Sequence, residues 1–232
     1  MAKFEIKKDP TKCFIAGTGD GCELMPKETD YTVYVLNDYV KIEKYGIRPD
    51  ALFIMDMLDE KPQIVAGLDN LGEIVARINN MKVPLIAPCK YEEIPLSQAF
   101  PLKECQKEFG ITYFSNTISY MVAYALLRGM KELQLFGINQ ASSSEYFYEK
   151  AGVEYWLGIA VGRGVKVTIN GGKSELLTNK RRFGGGILYG YNASFETVMR
   201  DQERFGEAVV KRLLVPGPPL SRMIRRVQSS SL

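Results

Sequence analysis

The segment FIAGTGDG, residues 14–21, joins an apolar strand to a glycine turn and decides the fold class. A second segment, SNTISYM at 115–121, opens an apolar helix that leads to a strand ending in FGIN at 136–139. A glycine turn lets backbone N–H groups approach a phosphate, and a Ser/Asn/Thr cluster at a helix N-terminus adds hydroxyls to such groups. In α/β domains, sites of this kind can face each other across the crevice where nucleotides commonly bind. The pair therefore predicts an α/β domain with a nucleotide-type ligand.

The rest of the chain alternates strands with helices. Predicted strands cover residues 12–16, 32–36, 51–55, 83–87, 111–114, 132–136 and 165–169. Predicted helices cover residues 70–81, 101–109, 117–127, 143–162 and 194–214. This alternation predicts a three-layer Rossmann-like α/β fold, with a mostly parallel sheet and helices on both faces. We assign residues 1–192 to a nucleotide-binding domain, 193–214 to a C-terminal helix, and 215–232 to a tail rich in Pro, Arg and Ser.

Composition indicates a packed globular protein, since 46% of the residues are hydrophobic and 11% are aromatic. No apolar run approaches the ~20 residues that span a bilayer, and the N-terminus lacks the apolar core of a signal peptide. We therefore expect a cytoplasmic protein, in the host cytoplasm if a phage encodes it. The four cysteines show neither CxxC nor zinc-finger spacing, so we expect reduced, structural thiols rather than a disulfide or metal site.

The chain contains no histidine, which excludes a Ser-His-Asp triad, a Cys-His pair and every His-ligated metal site. Any acid–base step must use carboxylates, Tyr, Lys or Cys. The net charge of +3 comes from three arginines in the tail, and the other residues balance to zero. The body therefore has no basic field suited to nucleic acid. We expect the tail to contact an acidic surface, in a homo-oligomer or a larger assembly.

Polar residues follow several predicted strands, at the sheet edge that lines the crevice. Asn37 and Asp38 close one strand and Asp56 closes the next, where they either cap loops or contact a ligand. If Asp38 and Asp56 converge, Mg²⁺ bound together with phosphate oxygens becomes possible. In the glycine turn, Asp20 and Glu23 would repel a phosphate, which favours a ribose, base or metal-bridged contact there. The alternative is a tight turn without a ligand.

Three further segments offer candidate chemistry. One residue of 115–117 is expected to cap its helix, and the others to contact a ligand. Residues 142–149, after Asn139, carry hydroxyls, phenols and carboxylates that could recognise a polar acceptor. Glu154 is a candidate general base, whereas the adjacent Trp156 is expected in the core. The basic run at 180–182 is either a solvated loop or a clamp for a diphosphate.

The order of these motifs resembles the bacterial CMP-sialic-acid-dependent sialyltransferases over roughly residues 12–170. It is also similar to a Rossmann-like group that includes archaeal hydroxymethylpterin diphosphokinase, and closer still to short proteins encoded in many phage genomes. The resemblance places Thr18 and Asn37 at donor-contacting Asn positions, Asp56 at a third, Thr117 at a donor-site Ser, Asn139 at an Asp, and Tyr146 at a Tyr near the donor phosphate. The family's general-base His falls near Tyr155, so the adjacent Glu154 would have to take that role.

The resemblance implies a transferase that moves a sugar from a nucleotide donor to a hydroxyl acceptor. Donor contacts would then come from Gly17, Thr18, Gly19, Asn37, Asp56, Asn116, Thr117 and Asn139. Tyr146 would steady the leaving phosphate, and Glu154 would deprotonate the acceptor. Two alternatives stay open: a Mg²⁺-dependent diphosphoryl transfer from ATP, with the metal on Asp38 and Asp56, and a non-catalytic phage or assembly module docked by its tail.

Overall fold

The computed structural model describes residues 6–37, 43–58, 71–140, 147–171, 174 and 176–177, with only the backbone at 147 and 148. Several sequence predictions lie outside these ranges. They concern the site residues Asp38 and Tyr146, the basic run at 180–182, the C-terminal helix and the tail.

The described residues form a seven-stranded sheet flanked by helices. The strands are β1 (Asp9–Ala16), β2 (Tyr31–Leu36), β3 (Ala51–Phe53), β4 (Leu85–Ala87), β5 (Ser97–Ala99), β6 (Glu132–Phe136) and β7 (Lys166–Asn170). The helices are α1 (Leu71–Met81), α2 (Leu102–Phe109), α3 (Thr117–Leu127) and α4 (Phe147–Gly162), with a short 3₁₀ turn at Cys22–Leu24. The strand order is β5-β4-β3-β2-β1-β6-β7, and every described pairing is parallel. The predicted Rossmann-like α/β fold is confirmed.

Alternating residues of β1 show why the sheet is covered on both faces. Cys13 and Ile15 pack into one apolar cluster with residues of α2, α3 and α4. Phe14 and Ala16 point to the opposite face and pack into a second cluster with residues of α1. Successive side chains of a strand point to opposite faces, so a continuous apolar run builds two cores at once. The result is a three-layer arrangement of helix, sheet and helix.

One predicted strand is wrong and one observed strand was missed. Residues 111–114 form no strand, and their apolar side chains serve helix packing instead, with Phe114 stacked on Trp156. The sheet is extended by β5, which has only three residues and one buried side chain, Ser97. The Ser97 hydroxyl accepts a hydrogen bond from the Tyr91 N–H (2.9 Å) and donates one to the Tyr91 carbonyl (2.9 Å). Because β5 is short and polar, it lacks the apolar run by which a strand is recognised in a sequence.

The strand order creates a topological switch point beside β1. From β1 the chain builds β2 to β5 on one side, and it then returns to place β6 and β7 on the other. The loops that leave β1 and β6 therefore diverge at the carboxyl edge of the sheet, which is where α/β folds bind ligands. No described helix is both long and apolar enough to cross a membrane.

Candidate functional site

A cavity of about 650 Å³ lies at this carboxyl edge, within the ~300–1,000 Å³ range of small-molecule sites. The structure brings eight sequence-predicted residues to its wall: Gly17, Thr18, Gly19, Asn37, Asp56, Asn116, Thr117 and Asn139. They come from the ends of β1, β2, β3 and β6 and from the start of α3. Parallel strands end at a common edge, so residues distant in sequence converge there.

The glycine turn after β1 is held by the last residue of β6 and by the loop that follows it. The Gly17 N–H donates to the Phe136 carbonyl (2.8 Å), and the Gly19 N–H donates to the Gly137 carbonyl (2.8 Å). The Gly21 N–H donates to the Glu23 carboxylate (3.0 Å). These three N–H groups are therefore used within the protein.

The glycines are required because the two loops touch. A Cβ on Gly17 would overlap the Gly137 carbonyl oxygen, and one on Gly19 would lie 2.8 Å from the same atom. The Asn139 side chain forms two more hydrogen bonds between the loops when its amide is oriented to match its partners. It accepts from the Asp20 N–H (3.0 Å) and donates to the Asp20 carbonyl (3.2 Å). In this turn the glycines permit close backbone packing, and Thr18, between them, is the cavity-lining residue that has a side chain.

The N-terminus of α3 forms another part of the wall. Of residues 115–117, Asn116 is the one that caps the helix: its side chain accepts from the Ser119 N–H (3.0 Å), and the Ser119 hydroxyl accepts from the Asn116 N–H (3.2 Å). Such a capping box satisfies helix N–H groups that have no partner within the helix. Thr117, the first helical residue, lines the cavity where the helix dipole leaves a partial positive charge.

Helix α4 packs closely against this end of α3. The Ser115 hydroxyl donates to the Glu149 carbonyl (2.6 Å), and the Asn116 side-chain NH₂ donates to the Glu149 carboxylate (2.9 Å). Gly152 makes the contact possible, because a Cβ there would overlap the Ser115 hydroxyl oxygen. The carboxylate of Glu149 is consequently oriented by Asn116 at the cavity wall.

Glu149 is the site residue that the sequence predictions did not single out, although it belongs to the polar segment 142–149. The candidate base Glu154 is not part of the described cavity wall. Its carboxylate accepts from the Leu177 N–H (2.9 Å) and lies 3.7 Å from the Lys150 ammonium. Five residues along an α-helix rotate a side chain by roughly 140°, so Glu149 and Glu154 face different directions.

Aromatic side chains form the apolar part of the wall. Phe114 and Tyr120 line the cavity and stack at 4.1 Å between ring centroids. Behind them, Trp156 stacks on Phe114 (5.0 Å) and donates its indole N–H to the Tyr113 carbonyl (2.7 Å). The predicted core position of Trp156 is confirmed by its complete burial. Burial also raises the pKa of Tyr120, so its phenol stays protonated at neutral pH.

The wall is acidic in the part that the structure describes. Asp56 and Glu149 contribute carboxylates, and none of the described lining residues is Lys or Arg. Within the described ranges, no three His, Cys, Asp or Glu residues are grouped so that they could hold a metal ion. Cys13, Cys22, Cys89 and Cys105 are free thiols in the structure. The described wall therefore offers a ligand carboxylate hydrogen-bond acceptors and no cationic side chain.

Comparison with solved structures finds sialyltransferases from Campylobacter jejuni. CstII in complex with cytidine-5'-monophosphate is 16% identical, with a TM-score of 0.45 over 83% of this chain and 99% of that chain. The alpha-2,3-sialyltransferase in apo form is 12% identical, with a TM-score of 0.45 over 88% and 98%. The monofunctional Cst-I is 13% identical, with a TM-score of 0.44 over 89% and 98%. No protein-family model and no curated protein matches the chain. These structures are sialyltransferases, the family that the motif order of this chain resembles.

Proposed function

We propose that this protein binds a nucleotide sugar in the switch-point cavity and transfers the sugar to a hydroxyl acceptor. The observation that carries the proposal is the convergence of polar side chains from four strand ends and one helix N-terminus on a single cavity. Such a site at a switch point is the usual nucleotide position in this architecture. Thr18, Asn37, Asp56 and Thr117 are the proposed donor contacts. Asn116 and Asn139 act as positioning residues because their amides hold Glu149 and the glycine turn.

The acceptor hydroxyl needs a base, and Glu149 is the candidate in the cavity wall. Its carboxylate would take the hydroxyl proton while that oxygen bonds to the anomeric carbon, and the nucleotide would leave with the electrons of the broken bond. General-base catalysis contributes typically 10²–10⁴-fold to rate. Glu149→Gln should therefore lower turnover about a hundredfold or more and preserve nucleotide binding.

The matched variant Glu154→Gln separates the two candidate bases. If Glu149 is the base, Glu154→Gln keeps most of the activity, because its carboxylate faces Leu177 and Lys150. Loss of turnover in Glu154→Gln alone would return the role to the residue that the sequence favoured. Tyr146, which lies outside the described residues, keeps its proposed role beside the leaving phosphate.

Nucleotide binding is tested first by thermal shift. The panel is CMP, CDP, UDP, GDP, ADP and ATP, each with and without Mg²⁺. CMP leads because a similar sialyltransferase was solved with it. A nucleotide at ~100 times its Kd adds ~2.7 kcal/mol of stability, which raises the melting temperature by roughly 5–10 °C in a domain of this size. No shift with any nucleotide would refute the proposal and favour the assembly role predicted from the tail.

A second candidate, Mg²⁺-dependent diphosphoryl transfer, is favoured by the acidic wall. Asp56 and Glu149 both line the cavity, and Mg²⁺ is commonly held by one or two carboxylates together with substrate phosphates. When bound, the metal would neutralise phosphate charge. A shift with ATP that disappears in EDTA supports this candidate. A metal-independent shift with CMP or UDP supports glycosyl transfer.

A further inference from the structure

Gln140 combines two unfavourable features at the cavity wall. It follows Asn139 after β6, lines the cavity, and is only 5% exposed. In the part of the chain that the structure describes, its side-chain carbonyl oxygen Oε1 is buried without a hydrogen-bond partner. Its backbone has φ of +45°, in the left-handed region that favours glycine.

Neither feature contributes to the stability of the fold. A buried amide oxygen without a donor has lost its hydration and gained no bond in return. A left-handed conformation is likewise unfavourable for a residue with a long side chain. Backbone strain of this kind persists where the surroundings impose it, and it clusters at ligand-binding positions. Both costs fall on one residue, and that residue borders the candidate site.

We propose that Gln140 is a ligand-binding residue whose Oε1 accepts a hydrogen bond from an N–H or O–H group on the base or ribose of the bound nucleotide. This inference rests on the proposed function and adds a specificity-determining contact to it. The terminal amide torsion of glutamine is soft. Oε1 can therefore turn toward the cavity without movement of the strained backbone.

The charge of the wall directs this contact to the base or ribose. An amide oxygen accepts hydrogen bonds, and an ionised phosphate has only acceptors to offer it. Asp56 and Glu149 add carboxylates, with no Lys or Arg among the described lining residues. The described wall therefore suits the donor-bearing, uncharged part of a nucleotide. Cytidine, which lacks the phosphate, is accordingly the diagnostic probe beside CMP.

The test is isothermal titration of the full-length protein with CMP and with cytidine. Gln140→Met keeps the length of the side chain and removes the acceptor. We expect this variant to bind both ligands about three- to tenfold more weakly, which is the effect of losing one neutral hydrogen bond. We also expect the ligand-free variant to melt at a higher temperature, because a buried acceptor without a partner is gone. A residue with a purely structural role would lose stability instead.

Gln134→Met is the matched control on β6. The Gln134 amide is paired, since its NH₂ donates to the Tyr31 hydroxyl (3.0 Å) and its oxygen accepts from the Asn170 NH₂ (3.2 Å). This control should melt at a lower temperature and bind CMP as the wild type does. If Gln140→Met does not fold, Gln140→Asn replaces it, because asparagine tolerates a positive φ and its shorter side chain withdraws the acceptor.

Pairing CMP with UMP identifies the ligand donor. A loss on Gln140→Met that is confined to CMP assigns Oε1 to the exocyclic amino group, which uracil lacks. An equal loss for both assigns it to the ribose or to another shared donor, and either result supports the proposal. Unchanged affinity of Gln140→Met for CMP and cytidine would overturn the proposal. A variant that binds CMP more weakly but binds cytidine as the wild type does would also overturn it, because that result indicates a contact with the phosphate. A wild type that binds no nucleotide would instead refute the proposed function.

Discussion

Replacing Gly17 by alanine tests the contact between the loops that follow β1 and β6, which forms part of the cavity wall. A Cβ at this position would overlap the Gly137 carbonyl oxygen and lie 2.9 Å from the Ile138 side chain. The carbonyl belongs to the backbone and cannot rotate away as a side chain would. The loops must therefore separate, and the cross-loop hydrogen bonds must lengthen.

The expected loss of stability follows from two contributions. Two cross-loop hydrogen bonds, from the Gly17 and Gly19 N–H groups, have lengths of 2.8 Å each and contribute about 1 kcal/mol apiece. Overpacking a close contact costs about 1–3 kcal/mol, of which separation of the loops relieves part. Gly17→Ala should thus lower the free energy of unfolding by about 2–4 kcal/mol. At ~2–4 °C per kcal/mol, the melting temperature falls by roughly 4–16 °C.

Gly158→Ala provides the matched control for this substitution. Gly158 lies in α4 and has open space where the Cβ of an alanine would lie, and alanine is a better helix former than glycine by about 0.5–1 kcal/mol. This control should therefore become slightly more stable. Both variants are unfolded in urea and by heat and followed by far-UV circular dichroism. Gly17→Ala with wild-type stability would refute the close loop contact and the account of the glycine turn built on it.

Three further substitutions test the framework around the site. Ser119→Ala removes the reciprocal cap with Asn116 and should cost about 1–2 kcal/mol in urea unfolding; an unchanged midpoint would contradict the capping box. Trp156→Phe leaves the Tyr113 carbonyl without its indole donor and should cost about 2 kcal/mol, which circular dichroism can follow without tryptophan. Hydrogen bonds from a tyrosine hydroxyl and a lysine lower the pKa of Glu132 in the folded protein. The ionised carboxylate therefore stabilises the fold above its unfolded-state pKa, and this stabilisation is lost as pH falls through the lower folded-state pKa. In Glu132→Gln the melting temperature should therefore fall less steeply below pH 4.5 than in the wild type. The same dependence on pH in both proteins would contradict this role of Glu132.

Sequence predicted the elements whose signal is local and strong. The helix at 117–127 was found with its observed bounds, because an Asn cap, a long apolar run and a terminal glycine coincide there. The strand at 132–136 was also predicted with its observed bounds. The strand at 97–99 was missed because it is defined by pairing with β4 rather than by its own residues. Residues 111–114 were assigned to a strand because their apolar character does not reveal which surface they cover.

The cavity wall shows a similar division. Residues at strand ends and at a helix start were predictable, since α/β folds gather those positions at one edge. Asn37, Asp56, Thr117 and Asn139 accordingly reach the same cavity. Which of Glu149 and Glu154 lines the cavity was not predictable, because the close contact of Gly152 with Ser115 orients α4. No periodicity in the sequence encodes that contact.

By itself the sequence determined the architecture, because alternating strands and helices, a glycine turn and a capped apolar helix are written in contiguous residues. It also excluded histidine chemistry, since the chain contains none. Tertiary structure decided the use of each polar group. The last residue of β6 and the loop after it accept the N–H groups of Gly17 and Gly19, while Gln140 keeps an acceptor without a described partner beside the cavity. The reason is that hydrogen-bond satisfaction depends on neighbours over a hundred residues away, and only the folded chain brings them within 3 Å.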